Sequence, residues 1–348
     1  MNILAIETSC DETAAAIVKD GREVLSNVVA SQIDIHAKYG GVVPEVAARA
    51  HVQTIIPAVK ESLSEAKMSW EDIDAIAVTQ GPGLVGSLIV GTETARTLSI
   101  LKNKPLIAVN HLEGHIYANW VSTKQPQFPL VTLLVSGGHT MLIEVENHYN
   151  FKIVGQTRDD AAGEAFDKVA ALLALPYPGG PNISNLAKKG DVNKYKFPVV
   201  DLTPEPKRNS EGFLEYPDPS LDFSLSGLKT AVLNVVKQSK SLSEQDKANI
   251  AASFQKTLVD TLSQNSQRAI EKYAPKSFIL SGGVAANQKL REKLQEMCKE
   301  LNVNFYMPDL KYCTDNAVMI GAAAYYKQKE FDFTEPKSLT PNPNLKLA

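Results

Sequence analysis

Residues 3–21, ILAIETSCDETAAAIVKDG, contain the pattern that decides the fold: an apolar run, a polar turn and a second apolar run. Short apolar runs bounded by Ser, Thr and acidic residues are typical of buried strands joined by a turn. Residues 130–146, LVTLLVSGGHTMLIEVE, repeat this design. Two parts of the chain therefore begin in the same way, which predicts a duplicated structure.

Strands and long amphipathic helices alternate after each of these units. Apolar residues recur at helical spacing in the longer segments, whereas the shorter segments are continuous apolar runs of strand length. The predicted helices cover residues 51–67, 87–103, 163–175, 249–274 and 287–301, and the predicted strands cover 73–80 and 276–281. This order is typical of an α/β protein, and two halves that start alike predict two lobes with a cleft between them.

The polar stretch STKQPQFP, residues 122–129, marks the predicted boundary between the lobes. We expect an amino-terminal lobe over residues 1–125 and a carboxy-terminal lobe over residues 126–315. The last apolar helix lies within residues 316–348, and we expect it to pack back on the first lobe. Two domains agree with a length of 348 residues, which is more than one typical core supports.

The composition excludes several classes of protein. Lys and Arg number 36 and Asp and Glu 39, so the net charge of −3 gives the whole chain no electrostatic footprint for nucleic acid, although a local basic patch stays open. The amino terminus has no basic segment before its apolar run, and no apolar run approaches the ~18 residues of a membrane span. These features predict a cytoplasmic protein. Cys10, Cys298 and Cys313 are too few and too widely spaced for a disulfide scaffold or a cysteine-rich zinc site, and indicate reduced thiols.

Residues 109–118, VNHLEGHIYA, place His111 and His115 four apart, on one face of a predicted helix that Asn110 would cap. Both imidazoles could then meet one cation. In the zinc protease signature H-E-x-x-H the base directly follows the first histidine, whereas Glu113 comes two residues after it and points away from the shared face. We expect Glu113 to act with Asn110 as a cap. The histidine pair alone leaves two interpretations open: a metal site, or one structural and one solvated histidine.

Three turns rich in Ser, Thr and Gly follow apolar strands: ETSCDET at 7–13, VSGGHT at 135–140 and LSGGVAAN at 280–287. Small residues let the backbone approach an anion and turn N–H groups toward phosphate, which favours a nucleotide or phosphorylated ligand. Plain β-turns have the same composition, so each turn alone is a weak signal. No P-loop or dinucleotide-binding glycine motif occurs. Asp11 and Glu12 in the first turn could hold a phosphate-bound cation or a reacting group, or form a solvated hairpin tip.

Acidic residues also mark a helix in the second half of the chain. Asp160, Glu164 and Asp167 are spaced so that they would share one helical face. A carboxylate that faces a cleft suits ribose hydroxyls because it accepts two hydrogen bonds from a diol, and we expect this role for Asp167. For Glu164 we expect an ion pair with Lys168, one turn further on.

Two interruptions follow this helix. The stretch PYPGGP, residues 176–181, breaks the chain and would leave the N–H groups of Gly179 and Gly180 free for a ligand, although a structural turn explains it equally well. Residues 201–220, DLTPEPKRNSEGFLEYPDPS, are rich in proline and charge. This composition predicts a long irregular loop.

Taken together, these stretches closely resemble the bacterial tRNA N6-adenosine threonylcarbamoyltransferase family, once described as O-sialoglycoprotein endopeptidases. The matching pieces run in order over nearly the whole chain, so the match is far more specific than any single motif. They are IETSCDETAAAI, GGVVPEVAARAH, TQGPGLVGSLIVG, VNHLEGHIYA, LLVSGGHT, DDAAGEAFDKVAALLALPYPGGP, DFSLSGLKTAV, LSGGVAANQKLR and CTDNAVMIG.

The resemblance implies a fold and a site. The fold is the two-lobed actin, Hsp70 and sugar-kinase-like (ASKHA) type, with duplicated RNase H-like domains and a central cleft. Asp315 is implied to join His111 and His115 on one divalent metal ion, Fe²⁺ or Zn²⁺, and we expect Asp11 and Glu12 beside the metal and phosphate as catalytic, proton-handling groups. The implied binding residues for the adenylate substrate or ATP are Leu134, Val135, Ser136, Gly137, Gly138, Asp167, Gly180 and Asn287.

The resemblance also implies a reaction and partners. The threonylcarbamoyl group of L-threonylcarbamoyladenylate would move to N6 of adenosine 37 in tRNAs that read ANN codons, forming t6A and releasing AMP. The amine attacks a mixed carbamic–phosphoric anhydride, so no covalent enzyme intermediate is required. The implied protein partners are a paralogous non-catalytic subunit of the same fold (TsaB-like) and a P-loop ATPase (TsaE-like).

Two other classes of function compete with this interpretation. A metalloprotease is suggested by HLEGH, but the position of Glu113 argues against it. A non-catalytic nucleotide-binding or scaffold subunit of the same fold would have lost the metal ligands, whereas His111, His115 and Asp315 are all present.

Overall fold

Two five-stranded mixed sheets organise the part of the chain that the structure describes, and each contains one of the strand–turn–strand units predicted from the sequence. The structure is a computed structural model that describes residues 1–122, 124–208, 210, 213–239 and 241–347. Three positions of the predicted irregular loop, 209, 211 and 212, lie outside the described residues.

The first sheet has the order β3-β2-β1-β4-β5 and the second has the order β8-β7-β6-β11-β12. In each sheet the first three strands are antiparallel neighbours and the last two run parallel to the central strand. The strands of the first sheet are β1 (Asn2–Glu7), β2 (Glu12–Lys19), β3 (Glu23–Ser31), β4 (Ala75–Gly81) and β5 (Leu106–Asn110). Those of the second are β6 (Leu130–Val135), β7 (Thr140–Val145), β8 (Phe151–Gln156), β11 (Ser277–Ser281) and β12 (Asn304–Tyr306). The identical topology confirms the predicted duplication.

Helices cover the sheets. They are α1 (Ile33–His36), α2 (Pro44–Glu65), α3 (Val85–Lys102), α4 (His111–Tyr117), α5 (Ala162–Leu172), α6 (Gly179–Ala187), α7 (Ser226–Gln238), α8 (Glu244–Tyr273), α9 (Gln288–Glu300) and α10 (Ala317–Glu330). Within the described residues, none of them is long and apolar enough to cross a membrane. The thiols of Cys10, Cys298 and Cys313 are free, as predicted.

Helix α10 lies against the first sheet, because small residues allow a close approach. A Cβ atom on Gly321 would come within 2.7 Å of Val18 in β2. The alanines Ala322, Ala323 and Ala324 are fully buried in the same apolar cluster as Ile3 of β1. The chain thus passes from β12 in the second sheet to a helix on the first.

Several predicted boundaries were wrong. The helix predicted from residue 51 begins at Pro44, where proline is well tolerated because the first helical N–H has no partner within the helix. Helix α5 begins at Ala162, so Asp160 precedes it instead of sharing its face. The loop 201–220 is mostly irregular but contains a short hairpin of β9 (Lys207–Arg208) and β10 (Leu214–Glu215).

The candidate site lies at the carboxyl ends of the parallel strands. Strands β1, β4 and β5 run parallel, so the segments that follow them meet at one edge of the first sheet. Strands β6 and β11 do the same in the second sheet. In open α/β sheets, ligands bind outside this edge.

Candidate metal and nucleotide site

Helix α4 presents both histidines of the VNHLEGHIYA stretch. Strand β5 ends at Asn110, whose side chain accepts a hydrogen bond of 2.8 Å from the backbone N–H of Leu112 and so caps the helix, as predicted. His111 and His115 then lie one turn apart on the same face, with ring centroids 4.7 Å from each other. Both side chains are buried, so neither is the solvated histidine of the alternative interpretation.

Asp315 joins the two histidines from the segment that precedes α10. Its Oδ1 lies 3.5 Å from Nε2 of His111 and 3.2 Å from Nε2 of His115. One ligand atom from each of the three residues lies within 4.8 Å of the others, which is close enough for all three to hold one ion. Two imidazoles and a carboxylate suit Zn²⁺ or Fe²⁺ and leave coordination positions for a substrate.

The hydrogen bonding of His115 also fits a metal site. Although its Nε2 is near Asp315, neither ring nitrogen makes a hydrogen bond of good geometry to any described residue. A buried polar group without a partner is costly, by about 1–3 kcal/mol. A cation between His115 and Asp315 would satisfy Nε2.

Glu7 orients His111 from the opposite side. Its Oε2 lies 3.0 Å from Nδ1 of His111 and accepts a hydrogen bond of 2.6 Å from the hydroxyl of Thr79. Ser9 Oγ also lies 3.1 Å from Nδ1 of His111. A carboxylate on one imidazole nitrogen leaves the other nitrogen for a metal, which is the usual arrangement around protein metal sites. Glu7 was not predicted as a site residue, because in the sequence it is only the first residue of the ETSCDET turn.

The charges in this cluster shift one another's protonation. Burial alone would lower the pKa of His111, but the carboxylates of Asp315 and Glu7 outweigh it and raise that pKa to about 9. Burial alone would raise the pKa of Asp315, and His111 and His115 instead lower it to about 2. Burial alone would also raise the pKa of the Glu7 carboxyl group, but the charge of His111 and the hydrogen bond to it lower that pKa. In the metal-free protein, His111 is therefore a cation between two anions.

Glu113 has no place in this cluster. Its side chain is buried on the other side of α4, with Oε2 3.7 Å from Nζ of Lys327 in α10. Burial raises the pKa of its carboxyl group, while Lys327 and a hydrogen bond from the backbone of Asn110 oppose the rise. Glu113 is thus a capping and packing residue, and a protease mechanism with Glu113 as the base finds no support.

The predicted catalytic carboxylates Asp11 and Glu12 lie close enough to the three-residue cluster for the charge of Asp315 to act on Glu12. Asp11 is buried in the turn, as expected. Glu12 was also expected in the turn, but it is the first residue of β2. Burial, the charge of Asp315 and a hydrogen bond with Asp11 raise the pKa of Glu12 to about 10. Glu12 therefore carries a proton at neutral pH in the protein alone.

The turn between β6 and β7 offers backbone groups to a ligand. The side chains of Leu134 and Val135 are fully buried in β6, so a ligand could contact only their main-chain atoms. The N–H of Ser136 donates to the carbonyl of His139, and the Ser136 hydroxyl accepts a 3.1 Å hydrogen bond from the N–H of His139, which closes the turn. Gly137 and Gly138 at its tip are exposed, with open space where a side chain would be.

Close packing joins this turn to α5. A Cβ atom on Gly163 would lie 2.7 Å from the carbonyl oxygen of Ser136, so only glycine allows α5 to begin here. Asp167, one turn further on, accepts a 2.7 Å hydrogen bond from the N–H of Gly179. The N–H of Gly179 is therefore not free for a ligand, which favours the structural interpretation at this residue, whereas Gly180 borders open space. Burial raises the pKa of Asp167, the bond from Gly179 opposes the rise, and nearby Asp11 adds to it.

Asn287 is the last residue of the third glycine turn and caps α9. Its Oδ1 accepts a 3.0 Å hydrogen bond from the N–H of Leu290, and its Nδ2 donates to Ser184 and Gln255. A cavity of about 440 Å³ lies between α6, α8 and α9, and its lining includes Ser184 and Gln255. This volume is in the range of pockets that hold small organic ligands.

His139 is a further residue near the cluster, and it was not predicted from the sequence. Burial and the positive charges of His111 and His115 lower its pKa to about 4, so it is neutral at physiological pH. The only signal was its position in the SGGHT turn. This electrostatic effect of both histidines on His139 indicates that the turn between β6 and β7 lies near the His111, His115 and Asp315 cluster.

Solved structures share the fold. The chain matches HypF from T. kodakarensis with a TM-score of 0.61 and 14% identity, over 94% of this chain and 48% of that one. It matches component A of the (R)-2-hydroxyglutaryl-CoA dehydratase of Acidaminococcus fermentans with a TM-score of 0.52 and 18% identity, over 94% and 99% of the two chains. At such low identity the likeness shows the fold alone, which is the ASKHA type predicted from the sequence.

Sequence relatives cover almost the whole chain. A protein of Caldicellulosiruptor saccharolyticus named tRNA N6-adenosine threonylcarbamoyltransferase is 52% identical over 328 residues, 94% of this chain and 93% of that protein. One of the same name from Clostridium beijerinckii is 49% identical over 347 residues, 99% and 98% of the two chains. The family model described as TsaD, tRNA N6-adenosine threonylcarbamoyltransferase, matches residues 23–322. The chain therefore belongs to the tRNA N6-adenosine threonylcarbamoyltransferase family.

Proposed function

We propose that this protein transfers the threonylcarbamoyl group of L-threonylcarbamoyladenylate to N6 of adenosine 37 in tRNAs that read ANN codons. Family membership supports the reaction. The observation that carries the proposal in this chain is the cluster of His111, His115 and Asp315, which lies beside the glycine turn of residues 136–139. A cation site next to a phosphate-binding turn suits an acyl phosphate substrate.

The chemistry is an acyl transfer between two heteroatoms. The N6 amine of adenosine attacks the carbonyl carbon of the mixed anhydride, the new C–N bond forms, and the bond between that carbon and the phosphate oxygen breaks. AMP leaves, and the amine loses one proton. A Zn²⁺ or Fe²⁺ ion held by His111, His115 and Asp315 would supply Lewis acidity to the carbonyl or phosphate oxygen.

The remaining roles fall to residues of both lobes. The exposed main-chain N–H groups of Gly137 and Gly138 bind the phosphate, whereas the N–H of Ser136 is already bonded to His139 and holds the turn in shape. Asp167 accepts hydrogen bonds from the ribose, and Gly180 and Asn287 border the nucleoside, with the neighbouring cavity large enough for its base.

Asp11 and Glu12 handle the proton. In this proposal Asp11 accepts the proton that the amine releases. Glu12, whose raised pKa of about 10 keeps it protonated, donates a hydrogen bond to the leaving phosphate.

The proposal extends to partners and location. We infer that the protein acts with a paralogous non-catalytic subunit (TsaB-like) and a P-loop ATPase (TsaE-like), and that it works in the cytoplasm, where tRNA is its macromolecular substrate. The family's activity on tRNA supports the substrate. The two protein partners rest on the resemblance of the sequence to the family.

A transfer assay tests the proposal. The protein is combined with both partners, ATP, L-threonine, bicarbonate, the enzyme that makes the adenylate and unmodified tRNA, and the nucleosides are measured by mass spectrometry. We expect modified adenosine with the wild type and a loss of at least about 100-fold with Asp315→Asn, since the metal would lose a ligand. Asp309→Asn is the matched control, because Asp309 is exposed and lies in the same loop outside the cluster.

Two results would contradict the proposal. Wild-type protein that modifies no tRNA, under conditions in which a known family member is active, would favour a scaffold subunit. Full activity of Asp315→Asn would separate the reaction from the cluster.

A further inference from the structure

The turn between β1 and β2 carries Asp11, and hydrogen bonds to its backbone carbonyl groups hold it in place. Three successive carbonyl groups each accept a hydrogen bond from another element, so the turn has little freedom to shift. The bonds run from Leu84 N to Ser9 O (2.8 Å), from His51 Nε2 and Ser87 Oγ to Cys10 O (2.9 and 3.1 Å), and from Gln32 N to Asp11 O (3.2 Å).

His51 in α2 makes the most informative of these contacts. A carbonyl oxygen only accepts hydrogen bonds, so Nε2 of His51 must carry the proton that it donates to Cys10. Burial lowers the pKa of His51, which keeps the ring neutral and leaves Nδ1 as an acceptor. The hydroxyl of Thr13 lies 2.7 Å from Nδ1 and fills that position.

The two contacts of His51 enclose the proposed catalytic pair. Cys10 directly precedes Asp11, and Thr13 directly follows Glu12. The hydroxyl of Thr13 lies 2.7 Å from that of Thr54 on α2, which adds a second link between the same two elements. One buried ring thus fixes both ends of the segment that carries the two carboxyl groups.

We propose that His51 is a positioning residue that sets the place of Asp11 and Glu12 relative to the His/His/Asp cluster. This inference rests on the proposed function. The ring is fully buried, so it acts through the backbone of Cys10 and the side chain of Thr13. Misplacement of a reacting group by about 1 Å can cost about 100-fold in rate.

Two amide substitutions separate the contacts of His51. Asn reaches only as far as Nδ1, so His51→Asn keeps an acceptor for Thr13 but loses the donor to Cys10. Gln reaches as far as Nε2, so His51→Gln can restore that donor. We expect His51→Asn to lower kcat for transfer by about 10-fold to 100-fold with KM for tRNA nearly unchanged, and His51→Gln to recover most of the rate.

Ser62→Ala is the matched control. Ser62 is buried in the same helix, and its hydroxyl bonds to that of Ser26 at 2.7 Å, far along the helix from His51. We expect this variant to lose stability as a broken buried hydrogen bond requires, with kcat unchanged. A general loss of packing in α2 would lower kcat in this variant as well.

A double-mutant cycle with Asp11→Asn tests the mechanism directly. If His51 acts through Asp11, adding His51→Asn to Asp11→Asn lowers kcat little further, so the effects are not additive. Should His51→Asn not fold, Thr13→Val and Thr13→Ser test the other contact, with loss of kcat expected only for Val. Normal kcat in His51→Asn, or in Thr13→Val if that variant replaces it, would overturn the inference, as would full additivity. Absence of transfer by the wild type would instead contradict the proposed function.

Discussion

His111 is a histidine whose protonation is set by two carboxylates. Glu7 lies against Nδ1 and Asp315 near Nε2, and together they raise the pKa of the ring to about 9 despite its burial. A metal ion needs Nε2 unprotonated, so a proton and a cation compete for the same atom. Glu7 orients the ring of His111 for a metal ion, but its negative charge also makes the ring bind a proton more tightly.

Metal affinity should therefore rise with pH. Because His111 releases one proton when the ion binds, we expect affinity for Zn²⁺ to rise about tenfold per pH unit from pH 7 toward 9 and then to level off. The stability of the metal-free protein should instead fall as the pH rises. The raised pKa stabilises the fold fully below about 6.5, and this contribution is lost as pH rises through about 9. Titration calorimetry at several pH values in two buffers measures both the affinity and the released proton.

Glu7→Gln separates orientation from charge. The amide keeps the shape of the side chain but removes one of the two anions beside His111, so the pH at which affinity levels off should fall. Glu144→Gln serves as a control, because Glu144 in β7 pairs with Lys152 at the surface. An unchanged pH profile in Glu7→Gln would show that Glu7 does not set the protonation of His111.

At the scale of the element, α4 is a seven-residue helix that carries both imidazoles. Helices this short are not stable alone in water, so its geometry depends on its cap and its packing. Asn110 supplies the cap, and Gly114 allows α10 to approach so closely that a Cβ atom there would lie 2.8 Å from Ile320.

Removal of the cap should affect both stability and the metal. We expect Asn110→Ala to lower the free energy of unfolding by about 1 kcal/mol and to weaken Zn²⁺ binding, because the first turn of α4 carries His111. Ser243→Ala is the control: Ser243 caps α8 with a side-chain bond to Asp246 and lies outside the metal cluster. Denaturant unfolding and zinc titration of both variants decide the matter. Equal zinc affinity in the two would show that α4 keeps its geometry without the cap.

The elements themselves were largely predictable. The two strand–turn–strand units and the long helices follow from short apolar runs and helical periodicity, which are local properties of the sequence. The start of α2 at Pro44 was missed because the residues from 44 to 50 carry little apolar periodicity. The third antiparallel strand of each sheet was missed for a similar reason, since β3 and β8 alternate between buried and exposed residues only in part.

At the scale of the whole molecule, the site depends on contacts between distant parts of the chain. His111 and His115 could be paired from local spacing, but Asp315 came only from the resemblance to a family. Glu7 was not found at all, because its contact with His111 exists only after β1 and β5 take places in one sheet. No periodicity in the sequence encodes that kind of proximity. The predicted lobe boundaries at residues 125 and 315 stay predictions.

Asp315 sits where the chain crosses from one sheet to the other. It follows β12 of the second sheet and precedes α10, which lies on the first. Arg291 of α9 steadies the approach to Asp315 by donating a 2.7 Å hydrogen bond to the carbonyl of Pro308, and its guanidinium lies 2.9 Å from Sγ of Cys313. A metal ion on Asp315 and α4 would therefore tie this crossing segment to the first lobe.

Metal binding should stabilise the molecule as a whole. At a free concentration of 100 times Kd, an ion that binds only the folded state adds about 2.7 kcal/mol to the free energy of unfolding. We expect Zn²⁺ to raise Tm by several degrees, and chelation to reverse the shift. Hydrogen exchange should slow on metal binding in α4 and in residues 308–316 together, because the ion joins these two segments. Asp315→Asn should lose both effects while Asp309→Asn keeps them. Equal stabilisation of the two variants would mean that the ion binds elsewhere, and protection confined to α4 would mean that it does not tie down the crossing segment.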